Sequence, residues 1–416
     1  MTEGTRFGRI WSRVTGGAQA QRIADLERAV RKLGEGQRDQ ATALQSRIAA
    51  VGERVAQQPT AKDLQELLQA VRALGTQIDR SIDDQLAHGG AVERQRLDER
   101  RLLKRLDQIA AGTGPLLIGP WTGEVGFELL YWIPFVEWVR ARWSLDPARQ
   151  VVLSRGGVHS WYGTSAADYI DAFSLFTPEE FRLATEQDKR KQRRVAAFDR
   201  RVVERATARL GITDVDLVHP GLMYRMFMPF WRDEAGFARV EQFTRPRRLE
   251  PPAEALPAGL PADYVAVRFY FSQCFPDTPA NREFVRSVMA SLVERGPVVV
   301  LNPGVRVDDH ADYLLTSSDR VYSIAEGLAP ERNLAVQSAV IGGARAFVGT
   351  YGGYSYLAPL YGVPALAFYS DRTFKLHHLH AAQRVFERLG SATVMPIDTA
   401  HAPIVQLALA TLTAAS

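Results

Sequence analysis

From residue 20 to residue 110 the chain contains no Trp, Phe or Tyr, and its apolar residues recur three and four apart among Ala, Gln, Glu, Arg and Leu. At Pro115 the pattern changes: aromatic residues appear, and short apolar runs alternate with helical stretches. Such a composition and spacing are those of a helical seam. Ile23, Leu26, Val30 and Leu33 start such a seam, Leu44, Ile48, Val51 and Val55 continue it, and Leu64, Leu67, Val71, Leu74 and Ile78 form its clearest heptad run. The spacing predicts an α-helical coiled coil over 20–110 behind a flexible segment 1–19, interrupted at Pro59 and at Gly89-Gly90. Because a lone polar helix is marginal in water, such an arm needs a partner, either a second copy of itself or its own folded-back segments, and a homo-oligomer is the expectation.

With 46% hydrophobic and 24% charged residues, the chain can bury real cores and is not a disordered polymer. A formal charge of +4 suits a small anionic ligand but falls short of a nucleic-acid footprint. One cysteine, Cys274, excludes an internal disulfide framework and a Cys-based zinc site, which fits a reducing compartment. No run reaches the roughly 18 apolar residues that span a bilayer, and the start lacks the apolar core of a signal peptide. A cytoplasmic protein is expected. Phe7, Ile10, Trp11 and Val14 share a helical face beside Arg6, Arg9 and Arg13, a pattern suited to peripheral contact with the inner face of a membrane.

After Pro115 the alternation predicts α/β construction in two halves, 115–245 and 262–416, joined by a linker over 246–261 that holds five prolines. Strands are expected at Pro115–Gly119, Gln150–Ser154 and Asp216–Val218, then at Tyr264–Phe269, Val298–Leu301, Ala346–Gly349, Ala365–Phe368 and Thr393–Pro396. Ligands of open α/β sheets bind beyond the carboxyl ends of the strands, so the loops there carry the candidates.

The run from Phe347 to Ala365 reads as strand, glycine turn, helix and strand. Gly352 and Gly353 would let backbone approach a ligand, and amides opening the next helix could hold a diphosphate, with Thr350 and Ser355 hydroxyls adding donors. A plain βα turn explains the same residues. The run resembles the C-terminal donor-site segment of GT-B glycosyltransferases, and is most similar to heptosyltransferases and fucosyltransferase-like enzymes. Gly349-Thr350 stands where the heptosyltransferase loop carries an aspartate, and Tyr356 where it carries a histidine. The resemblance implies two Rossmann-like halves, an acceptor half at 115–245 and a donor half at 262–416. It also implies a nucleotide-diphosphate sugar as co-substrate with no resident cofactor, and no metal is expected because Arg268 and backbone amides would neutralise the leaving diphosphate.

Arg268, near the end of the strand Val265-Ala266-Val267-Arg268-Phe269, resembles the arginine with which fucosyltransferase-like enzymes engage the donor diphosphate, although no histidine precedes it at the expected place. Guanidinium binds phosphate through a fixed fork of donors and keeps its charge. An ion pair with a carboxylate such as Asp277 is the alternative. Asn302, Ser370 and Arg372 also follow strands of this half, where donor contacts belong.

In the glycine-rich loop Gly119-Pro120-Trp121-Thr122-Gly123-Glu124, Glu124 sits in the turn and Glu128 one helical turn later on the same face. An inverting transfer needs a carboxylate to deprotonate the acceptor hydroxyl, which makes Glu124 the favoured base and Glu128 its reserve. Either could instead complement the helix N-terminus. Asp214-Val215-Asp216 spells a metal-binding tripeptide but reads as a turn. His377, His378 and His380 cluster without a neighbouring carboxylate in sequence, and the basic run Lys189–Arg194 reads as a solvated face. The sequence therefore points to a glycosyltransferase of hexosyl or heptosyl/fucosyl type acting on a glycan acceptor. A coiled-coil scaffold with a non-catalytic α/β domain and a polysaccharide pyruvyl transferase are the alternatives.

Overall fold

The computed structural model describes residues 90–165, 168–187, 192–250, 254, 256–301, 311–313, 319–324, 328–371 and 376–414. The predicted seam over residues 23–78 and the basic N-terminal face lie outside the described residues, as do Asn302, Arg372 and Lys189–Lys191 of the loop candidates.

A first helix, α1 (Gly90–Ala111), lies against the body. Leu102, Leu106 and Ile109 fall on one helical face and are buried in the main apolar cluster. Polar ties frame that face: Arg239 pairs with Glu99 at 3.0 Å, and the Trp143 indole donates to Asp107 at 2.7 Å. This last part of the predicted arm is thus packed on the α/β body.

The first sheet holds β1 (Leu116–Ile118), β2 (Gln150–Ser154), β3 (Asp168–Asp171) and β4 (Asp216–Val218), all parallel, in the order β3-β2-β1-β4. Leu117 lies opposite both Val151 and Leu217. Between β1 and β2 a helical stretch, α2, runs through Val125–Phe127, a π-helical turn Glu128–Trp132, and Ile133–Trp143. Pro134 falls directly after this π turn, in the first turn of the α-helical part. Helices α3 (Pro178–Gln187), α4 (Ala197–Leu210), α5 (Pro220–Trp231) and α6 (Ala238–Gln242) complete this part.

The second sheet has the order β12-β11-β10-β5-β7-β9, again parallel throughout. Its strands are β5 (Val265–Arg268), β7 (Val298–Val300), β9 (Val321–Ser323), β10 (Ala346–Thr350), β11 (Ala365–Tyr369) and β12 (Val394–Asp398). A short antiparallel ribbon, β6 (Tyr270–Phe271) with β8 (Ala311–Asp312), stands beside it. The helices are α7 (Pro279–Arg295), α8 (Asn333–Gly342), α9 (Gly353–Leu360), α10 (Leu376–Arg388) and α11 (Ala402–Ala414). Most of these strands are continuous apolar runs buried on both faces, as parallel strands between helical layers must be.

Counted within the second sheet alone, this strand order is 6-5-4-1-2-3, the doubly wound Rossmann arrangement, whose direction of winding reverses between β5 and β10. In the first sheet the same reversal falls between β1 and β4. One apolar cluster runs from Leu116 and Trp132 of the first part to Phe347 and Leu357 of the second, so the two sheets share a core. Among the described residues, no helix is long and apolar enough to cross a membrane.

Removing side-chain bulk where α1 enters the core tests its docking. Leu106→Ala should lower the unfolding free energy by about 2–5 kcal/mol, read from urea denaturation of the whole chain.

Candidate functional site

Both winding reversals carry a sequence candidate at their carboxyl ends. Arg268 ends β5 and the Tyr351–Gly353 turn follows β10; the Gly119–Glu124 loop follows β1 and His219 follows β4. The two places meet through backbone. A methyl group added at Gly353 would stand 2.7 Å from the Gly126 amide nitrogen, and one added at Gly126 would stand 3.3 Å from the Gly353 Cα. The start of α9 is therefore pressed against the start of α2, and Gly353 serves this helix contact where the sequence reading gave it to a ligand. Gly352 serves the Tyr270 phenol, which lies 1.9 Å from where its Cβ would be.

The two hydroxyls of the glycine turn are committed. Thr350 is fully buried; its Oγ1 donates to the Tyr270 carbonyl at 2.8 Å and accepts from the Tyr270 amide at 3.0 Å. Ser355 Oγ donates to the Gly352 carbonyl at 2.7 Å and accepts from the Gly352 amide at 3.2 Å. A hydroxyl has one proton, and a phosphate can only accept, so neither side chain has a hydrogen left to offer one. The expectation that they donate to a diphosphate is not met by this arrangement.

Arg268 is ion-paired, but with Asp312 of β8 at 3.0 Å; Asp277 pairs instead with Arg282 at 2.6 Å. The ribbon explains this, because β6 follows β5 directly and its Tyr270 lies opposite Asp312. Arg268 Nη1 also reaches Gln337 of α8 at 3.4 Å, and the guanidinium lies 4.1 Å from the Tyr354 ring centroid in the first turn of α9. Burial acts to lower its pKa, yet the charge of Asp312 and the neighbouring Tyr354 and Tyr270 outweigh that and hold it above the ordinary value. With 11% of its side chain exposed, it is a fixed cation at the reversal point.

The two glutamates part company. Glu124, at the N-cap of α2, makes no capping bond and is exposed. Its charge reaches the buried Tyr224 phenol, whose pKa burial raises foremost and Glu124 raises further, while Arg193 opposes both. Glu128 is 0% exposed, one α turn after Glu124, whose extended N-cap backbone keeps it at the surface, so the expected shared face is not present. Its Oε1 accepts from Ser154 at 2.6 Å and Tyr162 at 2.7 Å, and its Oε2 from Arg155 at 2.9 Å. Burial pushes its carboxyl pKa up against the pull of Arg155 and those hydrogen bonds.

Around Glu124 the loop backbone is tied down. Gly119, at φ 129°, donates to the Val218 carbonyl at 3.0 Å, and the Trp121 amide donates to the Leu153 carbonyl at 2.9 Å. Gln192 donates to the Pro120 carbonyl at 2.8 Å and accepts from the Thr122 amide at 3.0 Å, and Arg155 donates to the Gly123 carbonyl at 2.5 Å. Behind Gln192 stands Asp199 at 2.9 Å, itself 3.1 Å from His219 Nε2. His219 Nδ1 accepts from the Gly221 amide at 2.9 Å, which assigns the proton facing Asp199 to Nε2. Sequence reasoning missed Arg155, Gln192, Asp199 and His219 because their partners lie far away along the chain. Only the placement of Arg155 and His219 directly after strands could have signalled them.

The histidine cluster acquires the carboxylate it lacks in sequence: Asp233 lies 2.5 Å from His377 Nε2, while His378 Nδ1 lies 2.8 Å from the Tyr131 hydroxyl. Among the described residues no group of three His, Cys, Asp or Glu side chains is placed to share a metal ion. Ser370 accepts from Asn281 at 2.8 Å.

These features define a doubly wound Rossmann-type α/β protein with parallel sheets. No family model and no curated protein matches the chain. Among solved structures it is similar to the dodecameric iron-containing heptosyltransferase TibC in complex with ADP-D-beta-D-heptose, at 15% identity and TM-score 0.36, covering 62% of this chain and 58% of that one. A second TibC structure, from enterotoxigenic E. coli H10407, gives 14% identity, TM-score 0.35, and coverage of 62% and 59%. E. coli ADP-heptose lps heptosyltransferase II gives 14% identity, TM-score 0.39, and coverage of 73% and 100%. The chain thus spans less than two thirds of the TibC chains. Likenesses this distant carry no ligand, residue role or activity across to it.

Two outcomes check this geometry. Gly353→Ala, which in an exposed helix would gain about 1 kcal/mol, should instead destabilise the protein, as chemical denaturation would show. Asp171 ends β3 and accepts from the Gly157 and Phe173 amides, and burial raises its pKa from 3.8 to about 6. Between about pH 4 and pH 6 the native chain holds a proton that the unfolded chain has released, so this group's contribution falls by about 3 kcal/mol as pH rises through the window. Asp171→Asn should flatten that slope in denaturation midpoints measured across the same range.

Proposed function

We propose that the chain is a glycosyltransferase that moves a sugar from a nucleotide-diphosphate sugar to a glycan acceptor. The observation that supports this best is the contact of α2 and α9 at Gly126 and Gly353, with the cation Arg268 against Tyr354 of α9 and the exposed carboxylate of Glu124 at the N-cap of α2. Rossmann sheets bind nucleotides where their winding reverses. In this reading the donor diphosphate lies against Arg268 and the amides opening α9, with the hydroxyls of Thr350 and Ser355 shaping the turn that presents those amides. The acceptor lies over the Gly119–Glu124 loop.

The bond between the anomeric carbon and the diphosphate breaks, and its electron pair leaves on the diphosphate. A bond forms from the acceptor oxygen to that carbon, and the acceptor proton passes to Glu124. Arg268 and backbone amides bear the charge that develops on the leaving group, so no divalent ion is needed for that task. Self-association through the part of the arm that precedes α1 and a peripheral place on the inner face of a membrane complete the proposal.

Isothermal calorimetry against GDP, UDP, ADP and CMP tests the donor half. One of them should bind selectively, and Arg268→Ala should weaken it by about tenfold or more. With the matching sugar nucleotide, Glu124→Gln should lower kcat by about 10²–10⁴-fold at little cost in donor KM, and EDTA should leave turnover intact. Nucleotide binding without turnover would favour a second reading, a binding protein with a non-catalytic α/β body. The spent protons of Thr350 and Ser355 and the packed Gly353 are the observations on that side. Complete inhibition by EDTA would overturn the metal-independent mechanism.

A further inference from the structure

We propose, resting on the glycosyltransferase reading, that the buried Glu128–Arg155 pair is a positioning device for Glu124 and that Glu128 is no reserve base. A carboxylate that is 0% exposed and holds three donors on its two oxygens has no route to an acceptor hydroxyl. An ion pair this deep is poor value as stabilisation, since the desolvation of both charges offsets most of their attraction. What the pair does uniquely is aim Arg155. With one nitrogen on Glu128, the guanidinium places the other on the Gly123 carbonyl, one residue before Glu124.

The opposite side of the same loop is held by Gln192, which bonds Pro120 and Thr122 and is itself fixed by Asp199 and His219. Pro120, Thr122 and Gly123 thus each have a main-chain group bonded to an amide or guanidinium side chain from elsewhere in the fold. Glu124, the next residue, has no side-chain cap bond and is exposed. A two-sided clamp on the backbone, with an exposed carboxylate at its end that makes no cap bond among the described residues, is a built arrangement for holding one oxygen pair in place, at the start of the helix that touches α9. Arg155 and Gln192 are positioning residues, and Glu128 acts through Arg155.

Three variants separate this role from plain stability: Glu128→Gln, Arg155→Gln, and the double variant. Each single change leaves one buried partner uncompensated and should lower Tm by roughly 5–10 °C. The double variant removes both charges and lets two amides pair, so Tm should return most of the way. The shorter amide at 155 cannot pair inward and also reach the Gly123 carbonyl, so hydrogen exchange of the Trp121 and Thr122 amides should stay faster than in the parent by about tenfold or more. Exchange is read on the full chain without substrate, so the clamp is tested whether or not a donor is found. Where the calorimetric screen supplies a donor, the double variant should lose kcat with donor KM unchanged. Recovery of loop protection together with Tm would overturn the proposal and leave a purely structural pair. Loss of turnover in Glu128→Gln with loop protection intact would overturn it too, by making Glu128 the base. A failed nucleotide screen alongside the expected exchange result would sink the glycosyltransferase reading and leave the clamp standing.

Discussion

The close approach of Gly126 to Gly353 is the constraint on which the arrangement of the two sheets depends. The first turns of the two helices come to backbone contact because neither carries a side chain there: a methyl group at Gly353 would stand 2.7 Å from a backbone nitrogen, and one at Gly126 would be tight at 3.3 Å. Other joints between the sheets surround this contact. The Gly156 carbonyl accepts from the Ala335 amide at 2.9 Å, and the Trp161 indole reaches Ser338 at 3.1 Å. Residues of both sheets then close into one apolar cluster. What looks in sequence like two independent βα repeats is in three dimensions one body in which the strand ends at the two winding reversals are held together.

That unity accounts for the polar residues found inside. Burying Glu128 with Arg155, or Asp199 with His219, costs solvation that apolar side chains would not. In each case the buried charge or ring is surrounded by donors and acceptors that satisfy it, and the chain of bonds ends on the backbone of one loop. Glu124 and Glu128 are joined by an ordinary α turn, the Glu128 amide donating to the Glu124 carbonyl at 3.1 Å, but Glu124 is the extended N-cap residue and stays at the surface while Glu128 enters the core.

The alternation after Pro115 makes the parallel sheets legible from sequence, because doubly covered strands must be nearly unbroken apolar runs, as in Leu116–Ile118 and Ala365–Tyr369. The strands that escaped, Asp168–Asp171 and Val321–Ser323, lie at sheet edges where one side needs no partner and polar residues intrude. Candidate loops were legible for the same reason, since strand ends declare them. Which atoms in those loops are already spent was not. That Thr350 gives its proton to Tyr270, that Arg268 finds Asp312 in place of Asp277, and that Asp233 meets His377 all depend on contacts between residues 44 to 144 positions apart. Pattern and spacing hold no record of such pairs. The heptad run over residues 64–78 lies outside the described residues.

Helix α1 meets the body through Leu102, Leu106 and Ile109, with Glu99 and Asp107 bonded on either side. A chain that enters through a docked helix has a fixed bearing as well as a fixed anchor, unlike one tethered by a pliable linker. Anything that held the residues before Gly90 would therefore set the compass heading of both sheets. Torque applied at Gly90 would turn the Glu124 loop with it, as a handle turns a blade.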